Sequence, residues 1–180
     1  FWQMLPIGPI SYGDSPYQSF SSFAGNPYFI DFELLCEDNL LEPDDFNLIV
    51  WGEVPSCVDY GTIFKKRFEV LEIAFKNGFK RDAANVEKFR GNNASWIEDY
   101  ALFMALKNHF KLVSWKFWDV DIRVRKPEAL NKYRELLKDR IDFWVYIQYL
   151  FYEQWNSLKT YANKNGIKII GDIPIYVAED

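Results

Sequence analysis

An α/β fold with parallel strands is what this sequence predicts, from three observations. A short apolar run opens the chain, and a continuous β-branched run lies near its other end. The long stretch between them repeats its apolar residues at helical steps. Strand, decorated excursion, helix and strand in that order is the pattern of parallel pairing.

The first element is "FWQMLPI", Phe1 to Ile7, stopped by Gly8 and Pro9 and read as a buried strand. From Ser11 to Tyr60 the chain carries many breakers and little sustained periodicity. A connection that long is uncommon in a compact domain unless it is functional. From Thr62 to Asn77, the residues Ile63, Phe64, Phe68, Leu71 and Phe75 share one helical face, with Gly78 placed to cap the C-terminus. "SWIE", Ser95 to Glu98, has the spacing of a capping box and precedes a stripe of Ile97, Tyr100, Ala101 and Met104.

A tryptophan-rich link, "LVSWKFWDVDIRVRKP", leads to Pro127, a residue suited to a first helical turn. Its rings from Trp115 to Trp118 are expected to pack on neighbouring helices more readily than to face a ligand. Beyond it Leu130, Tyr133, Leu137, Ile141, Trp144, Gln148, Phe151, Trp155 and Leu158 recur at steps of three or four. This is one very long helix, or two joined between Lys138 and Asp142. Gly166 ends it, and "IKIIGDIPIYV" reads as a buried parallel strand. Ligands of such folds meet the loops at the carboxyl ends of the strands. Here the first strand runs into "GPISYGDSPY" and the second into Asp172 and Asp180.

Composition narrows the function. The chain has 180 residues, 49% hydrophobic, enough for roughly one domain. Aromatic residues reach 19%, beyond what a small core needs, so some rings are expected to face a ligand or another part of a larger protein. The net charge of -5, with basic residues scattered among acidic ones, argues against nucleic acid or an anionic membrane as partner. No apolar run approaches the roughly 20 residues of a membrane span, and a soluble cytoplasmic protein is the expectation. Cys36 and Cys57 lack metal-site spacing, His109 has no neighbouring ligand, and neither a disulfide nor a metal is expected. His109 instead falls where a helix C-terminus would favour a cation. The first residue is Phe and both ends abut apolar runs, which reads as a piece of a longer protein.

"WQMLPIGPISYGDSPYQSFSSFAGNPYFID", Trp2 to Asp31, closely resembles the signature of the amylomaltases, the 4-alpha-glucanotransferases of glycoside hydrolase family 77. "VDYG" at Val58 to Gly61, "EDYALFMALK" at Glu98 to Lys107, "FYEQWNSLK" and "GIKIIGDIPIYVAED" at Gly166 to Asp180 extend the likeness over the chain. The resemblance implies part of a (β/α)8 TIM barrel, about strands 2 and 3, with a mostly helical insertion at about 38–165. It implies transfer of an α-1,4-glucan segment to the 4-hydroxyl of an acceptor sugar by a retaining double displacement, without a cofactor. The partners it implies are maltodextrins and starch or glycogen segments, with glucose or maltose as acceptors.

The same resemblance implies that the nucleophilic Asp, the acid/base Glu and a stabilising Asp fall after residue 180, so the isolated chain is expected to be inactive. Asp172 matches the family position supporting the donor sugar beside the cleavage point. Tyr17 matches the tyrosine next to that sugar, with Asp14 and Ser15 as weaker neighbours. Tyr12 matches a tyrosine of a second glucan-contact region, whose other aromatic position is Phe64 here, where family members carry tyrosine. Asn26 and Pro27 read as residues that shape the loop, while Phe20 and Phe23 read as its anchors. Two rival readings stay open, a non-catalytic α-glucan-binding module and an α-glucan hydrolase.

Overall fold

The computed structural model describes residues 1–11, 13–174 and 176–178, with only the backbone of Tyr176 and Val177. Tyr12, Ile175, Glu179 and Asp180 lie outside the described residues. Strand β1 is Trp2–Gln3 and β2 is Gln18–Ser19. The helices are α1 (Phe32–Glu37), α2 (Asp44–Asn47), α3 (Tyr60–Gly78), α4 (Ala83–Asn92), α5 (Ile97–His109), α6 (Val120–Arg123), α7 (Pro127–Leu136) and α8 (Lys138–Lys164). Strands β3 (Ile169–Ile170) and β4 (Tyr176–Val177) follow.

Pairing is parallel, as the order of elements predicts. β1 lies beside β3 with Trp2 opposite Ile169, and β2 beside β4 with Gln18 opposite Tyr176. The Trp2 and Met4 amides donate to the carbonyls of Lys168 and Ile170, each at 2.9 Å. The expected burial of these strands does not hold. Phe1 is 89% exposed and Ile173 75% exposed, and Trp2, Leu5 and Ile170 are also open to solvent. A parallel sheet is buried by neighbouring strands and by layers on both faces, and the described strands form only two-stranded pairs.

The helices pack around α8. Residues 143–151 are all buried, so its middle is enclosed on every side and not only along the predicted stripe. Val70, Leu71 and Ala74 of α3 and Ile97, Ala101 and Ala105 of α5 join it in one core. Phe143 meets Phe75 edge to face at 5.6 Å, a geometry that aromatic pairs favour. Of the two arrangements left open for the long periodic segment, the structure adopts two helices. They meet at Leu137, whose φ of -109° and ψ of 18° bend the chain, while the Ile141 amide still bonds to the Leu137 carbonyl at 2.9 Å.

Helix ends follow local chemistry with two departures. Asp59 caps α3 by accepting from the Thr62 amide at 2.9 Å and Asp31 caps α1 by accepting from the Glu33 amide at 2.8 Å. Gly166, at φ +74°, ends α8. Its amide bonds to the Asn163 carbonyl and that of Ile167 to the Ala162 carbonyl, both at 3.0 Å, the paired bonds of a Schellman motif. The expected capping box at Ser95 does not form. The turn in which the Asn93 carbonyl accepts from the amides of Trp96 and Ile97 puts the cap position of α5 at Trp96, one residue past Ser95, and the Glu98 carboxylate pairs with Arg90 at 2.7 Å. Gly78 is not a cap either. It is the last residue of α3, and a Cβ there would stand 1.9 Å from the Tyr146 hydroxyl.

In the tryptophan-rich link, Trp118 is buried and donates its indole N–H to the Val113 carbonyl at 3.0 Å. Phe117 points to solvent. His109 closes α5 and packs edge-on against Phe110 and Tyr133.

Candidate functional site

The site is built on the loop after β1. The Asp14 amide donates to the Ser11 carbonyl at 3.1 Å, with Gly13 at φ +94° and Asp14 at φ +56°. That left-handed backbone suits glycine and is tolerated by aspartate. Ser15 then accepts the Tyr17 amide on its hydroxyl at 3.3 Å and the Gln18 amide on its carbonyl at 3.1 Å. The Ser11 amide returns to the Gln18 carbonyl at 3.1 Å, closing the loop on itself.

These bonds present Tyr17 to the far end of the sequence. Its hydroxyl donates to Oδ2 of Asp172 at 2.9 Å. Oδ1 of the same carboxylate accepts the Ile173 amide at 2.8 Å. Asp172 lies just past the carboxyl end of β3 and is exposed, while Tyr17 is half-buried. The phenol is held above its ordinary value, first by the hydrogen bond to Asp172 and then by desolvation and the carboxylate charge. An ionised carboxylate has about four lone-pair sites. With two of them used internally, Asp172 keeps acceptor capacity for hydroxyl groups, and the Tyr17 oxygen can accept one more.

The other candidates fall in different places. Asp14 is exposed, and its charge bears on Tyr28. The Tyr28 phenol is pushed up to about 12, by burial first and by Asp14 second, with Arg67 opposing. Phe64 is 46% exposed on α3, with its ring edge-on to Phe68 at 6.2 Å. No hydrogen bond or ring contact among the described residues joins it to Tyr17 or Asp172. Tyr12 and Asp180 lie outside the described residues.

The loop continues into a part held from behind by α8. Ser19 donates to the Ser21 carbonyl at 2.9 Å, and the Ser21 hydroxyl accepts the Ala24 amide at 3.0 Å. The Gly25 amide donates to Oε1 of Gln148 at 2.7 Å while Nε2 of Gln148 donates to the Gly25 carbonyl at 2.9 Å. Gln154 repeats this on Asp31, at 2.7 and 3.0 Å. The Tyr152 hydroxyl donates to the Phe23 carbonyl. A Cβ on Gly25 would stand 2.0 Å from the Phe151 ring, so only glycine allows this approach. Asn26 is buried and accepts the Tyr28 amide at 2.9 Å, shaping the loop as predicted. Phe20 reaches Phe103, but Phe23 lies on the surface, stacked on Trp96 at 6.1 Å.

The glutamine contacts escape a reading of the sequence, although one signal for them is there. Gln148 interrupts an otherwise apolar stripe, and a polar residue at a core position needs partners.

Comparison with known proteins adds the family. The glycoside hydrolase family 77 model, described as 4-alpha-glucanotransferase, matches residues 1–180. The chain belongs to this family. Similar family-77 proteins include the 4-alpha-glucanotransferase of Clostridium butyricum, 50% identical over 180 residues, which are all of this chain and 37% of that protein. That of Thermus thermophilus is 44% identical over 185 residues, again across this whole chain and 36% of the relative. The amylomaltase from Streptococcus agalactiae in complex with acarbose superposes with a TM-score of 0.93 at 46% identity, covering 99% of this chain and 37% of that one. The family-77 chain thus spans a little over a third of these relatives. Among its described residues no helix is long and apolar enough to cross a membrane.

Proposed function

We propose that this chain is the donor-sugar-supporting part of a 4-alpha-glucanotransferase, which moves α-1,4-glucan segments onto the 4-hydroxyl of glucose or a maltodextrin. The observation that carries the reading is the hydrogen bond from Tyr17 to Asp172 at 2.9 Å. It joins the two residues whose counterparts in the family flank one sugar, at the carboxyl end of a parallel strand. Asp172 accepts from sugar hydroxyls, the Tyr17 ring covers an apolar C–H face, and Asp14 and Ser15 shape the rim. Tyr12 and Phe64 belong to a second glucan contact, in which Phe64 supplies a stacking surface without a hydroxyl.

In this reading β1 and β3 are neighbouring strands of a (β/α)8 barrel and the helices between them are its insertion. The solvent-open apolar residues of β1 and β3 support a place inside a larger sheet. Retaining transfer needs a nucleophilic carboxylate and an acid/base carboxyl group about 5 to 5.5 Å apart across the scissile bond. Asp172 is a single carboxylate tied to a phenol and an amide, which suits binding and not bond cleavage. Residues 1–180 alone are therefore expected to leave maltotriose unchanged.

The test is product analysis of the full-length protein on maltotriose. Longer maltodextrins together with glucose mean transfer. A net gain of reducing ends means hydrolysis, and binding without turnover means a glucan-binding module; either result overturns the proposal.

A further inference from the structure

We infer that Gln148 of α8 is a positioning residue for the glucan site, acting through the backbone of the substrate loop; the inference rests on the function proposed above. Gln148 is fully buried, and its amide makes a reciprocal pair of bonds with the N–H and C=O of Gly25, at 2.7 and 2.9 Å. A primary amide in this arrangement substitutes for a neighbouring strand, so the peptide at Gly25 is fixed in orientation as well as in distance.

From Gly25 the restraint passes along short bonds toward Tyr17. Ser21 holds the Ala24 amide, and Ser19 holds the Ser21 backbone in both directions, at 2.9 Å to the carbonyl and 3.3 Å from the amide. Ser19 lies in β2, beginning one residue after Tyr17. The Asn26 amide ties the same peptide stretch to the Ile7 carbonyl at 2.8 Å. Tyr17 meets Asp172 from a segment whose far end is set by a buried side chain of the helical core. Gln148 touches neither member of that pair, so its effect on sugar binding is exerted through the loop.

A double-mutant cycle in the full-length protein, read on maltotriose, tests this. Gln148→Met preserves length and removes both hydrogen bonds, and the expected result is a roughly three- to tenfold fall in kcat/KM, no larger than the loss of the Tyr17–Asp172 contact itself. In a Tyr17→Phe background the same change is expected to cost less than about threefold, because the contact it positions is already gone. Multiplicative, independent effects of the two substitutions overturn the inference and reduce Gln148 to a folding residue. If Gln148→Met does not fold, Tyr152→Phe removes one hydroxyl from the same loop, and a smaller loss, again absent in the Tyr17→Phe background, is expected; independent effects there overturn the inference as well. A wild-type protein that transfers no glucan overturns the proposed function and this inference with it. Active wild type with independent mutant effects removes the inference alone.

Discussion

The Tyr17 hydroxyl and the Asp172 carboxylate, 155 positions apart in the sequence, lie within a 2.9 Å hydrogen bond of each other. The loop after the first strand is thereby fastened to the carboxyl end of β3. Removing one hydroxyl with Tyr17→Phe is expected to raise KM for maltotriose by roughly three- to tenfold with a smaller change in kcat, the size of one modest hydrogen bond. Steady-state kinetics of the full-length protein check this. The phenol lies above its usual value of 10.0, so the protonated donor is present throughout the neutral range. The difference between wild type and variant should stay constant from about pH 6 to 9 and shrink once the phenol ionises in alkali.

Gly25→Ala should be strongly destabilising. The added methyl would fall 2.0 Å from the Phe151 ring, and overpacking of a tight core costs about 1 to 3 kcal/mol or more. Urea unfolding measures the loss, and Phe151→Leu in the same chain should restore part of it by making room.

Arg90 links two carboxylates of unequal burial. Asp142 is 16% exposed and Glu98 44% exposed, and the Arg90 side chain itself is largely covered. Arg90→Met should cost about 2 kcal/mol by leaving the Asp142 carboxylate unpaired, less than the roughly 3 to 5 of a fully buried pair. Glu98→Gln, at the more exposed partner, should cost under about 1 kcal/mol. Comparing the two unfolding midpoints tests whether burial sets the ranking.

Acid should weaken the fold through Asp82 and Asp59. Burial pulls Asp82 upward, but hydrogen bonds from Arg81 and Tyr146 outweigh it and leave the carboxyl below its ordinary 3.8. Asp59 is lowered first by the Thr62 amide it caps and then by the Thr62 hydroxyl. A carboxyl depressed in the folded state contributes stability above its unfolded value and loses it as pH falls through the folded one. Stability should therefore decline below about pH 4. Asp82→Asn should flatten part of that decline in urea titrations between about pH 5 and 2.

Much of the local structure was legible in the sequence because its causes are local. The helical spacing around Leu71 and Ile141, the Pro127 start and the Gly166 stop depend on residues within a turn or two of one another. The capping box at Ser95 failed for an equally local reason, since the turn through Asn93 shifts the cap position of α5 to Trp96 and the Glu98 carboxylate turns to Arg90. The burial of β1 and β3 was misread because an apolar strand states a preference for a covering layer and cannot state whether the layer is there.

For the site, the sequence by itself determined which side chains are proposed to meet a sugar: the motif resemblance singled out Tyr17 and Asp172, and the turn chemistry of Gly13 to Ser15 prepared one of them. Only the tertiary structure decided that the two share a hydrogen bond, that Phe64 stands apart from them, and that Gln148 and Gln154 grip the loop from α8. Short-range propensities are written in neighbouring residues. A contact between positions more than a hundred residues apart exists only when packing closes the chain on itself, and a glutamine within an apolar stripe does not reveal which backbone it will hold.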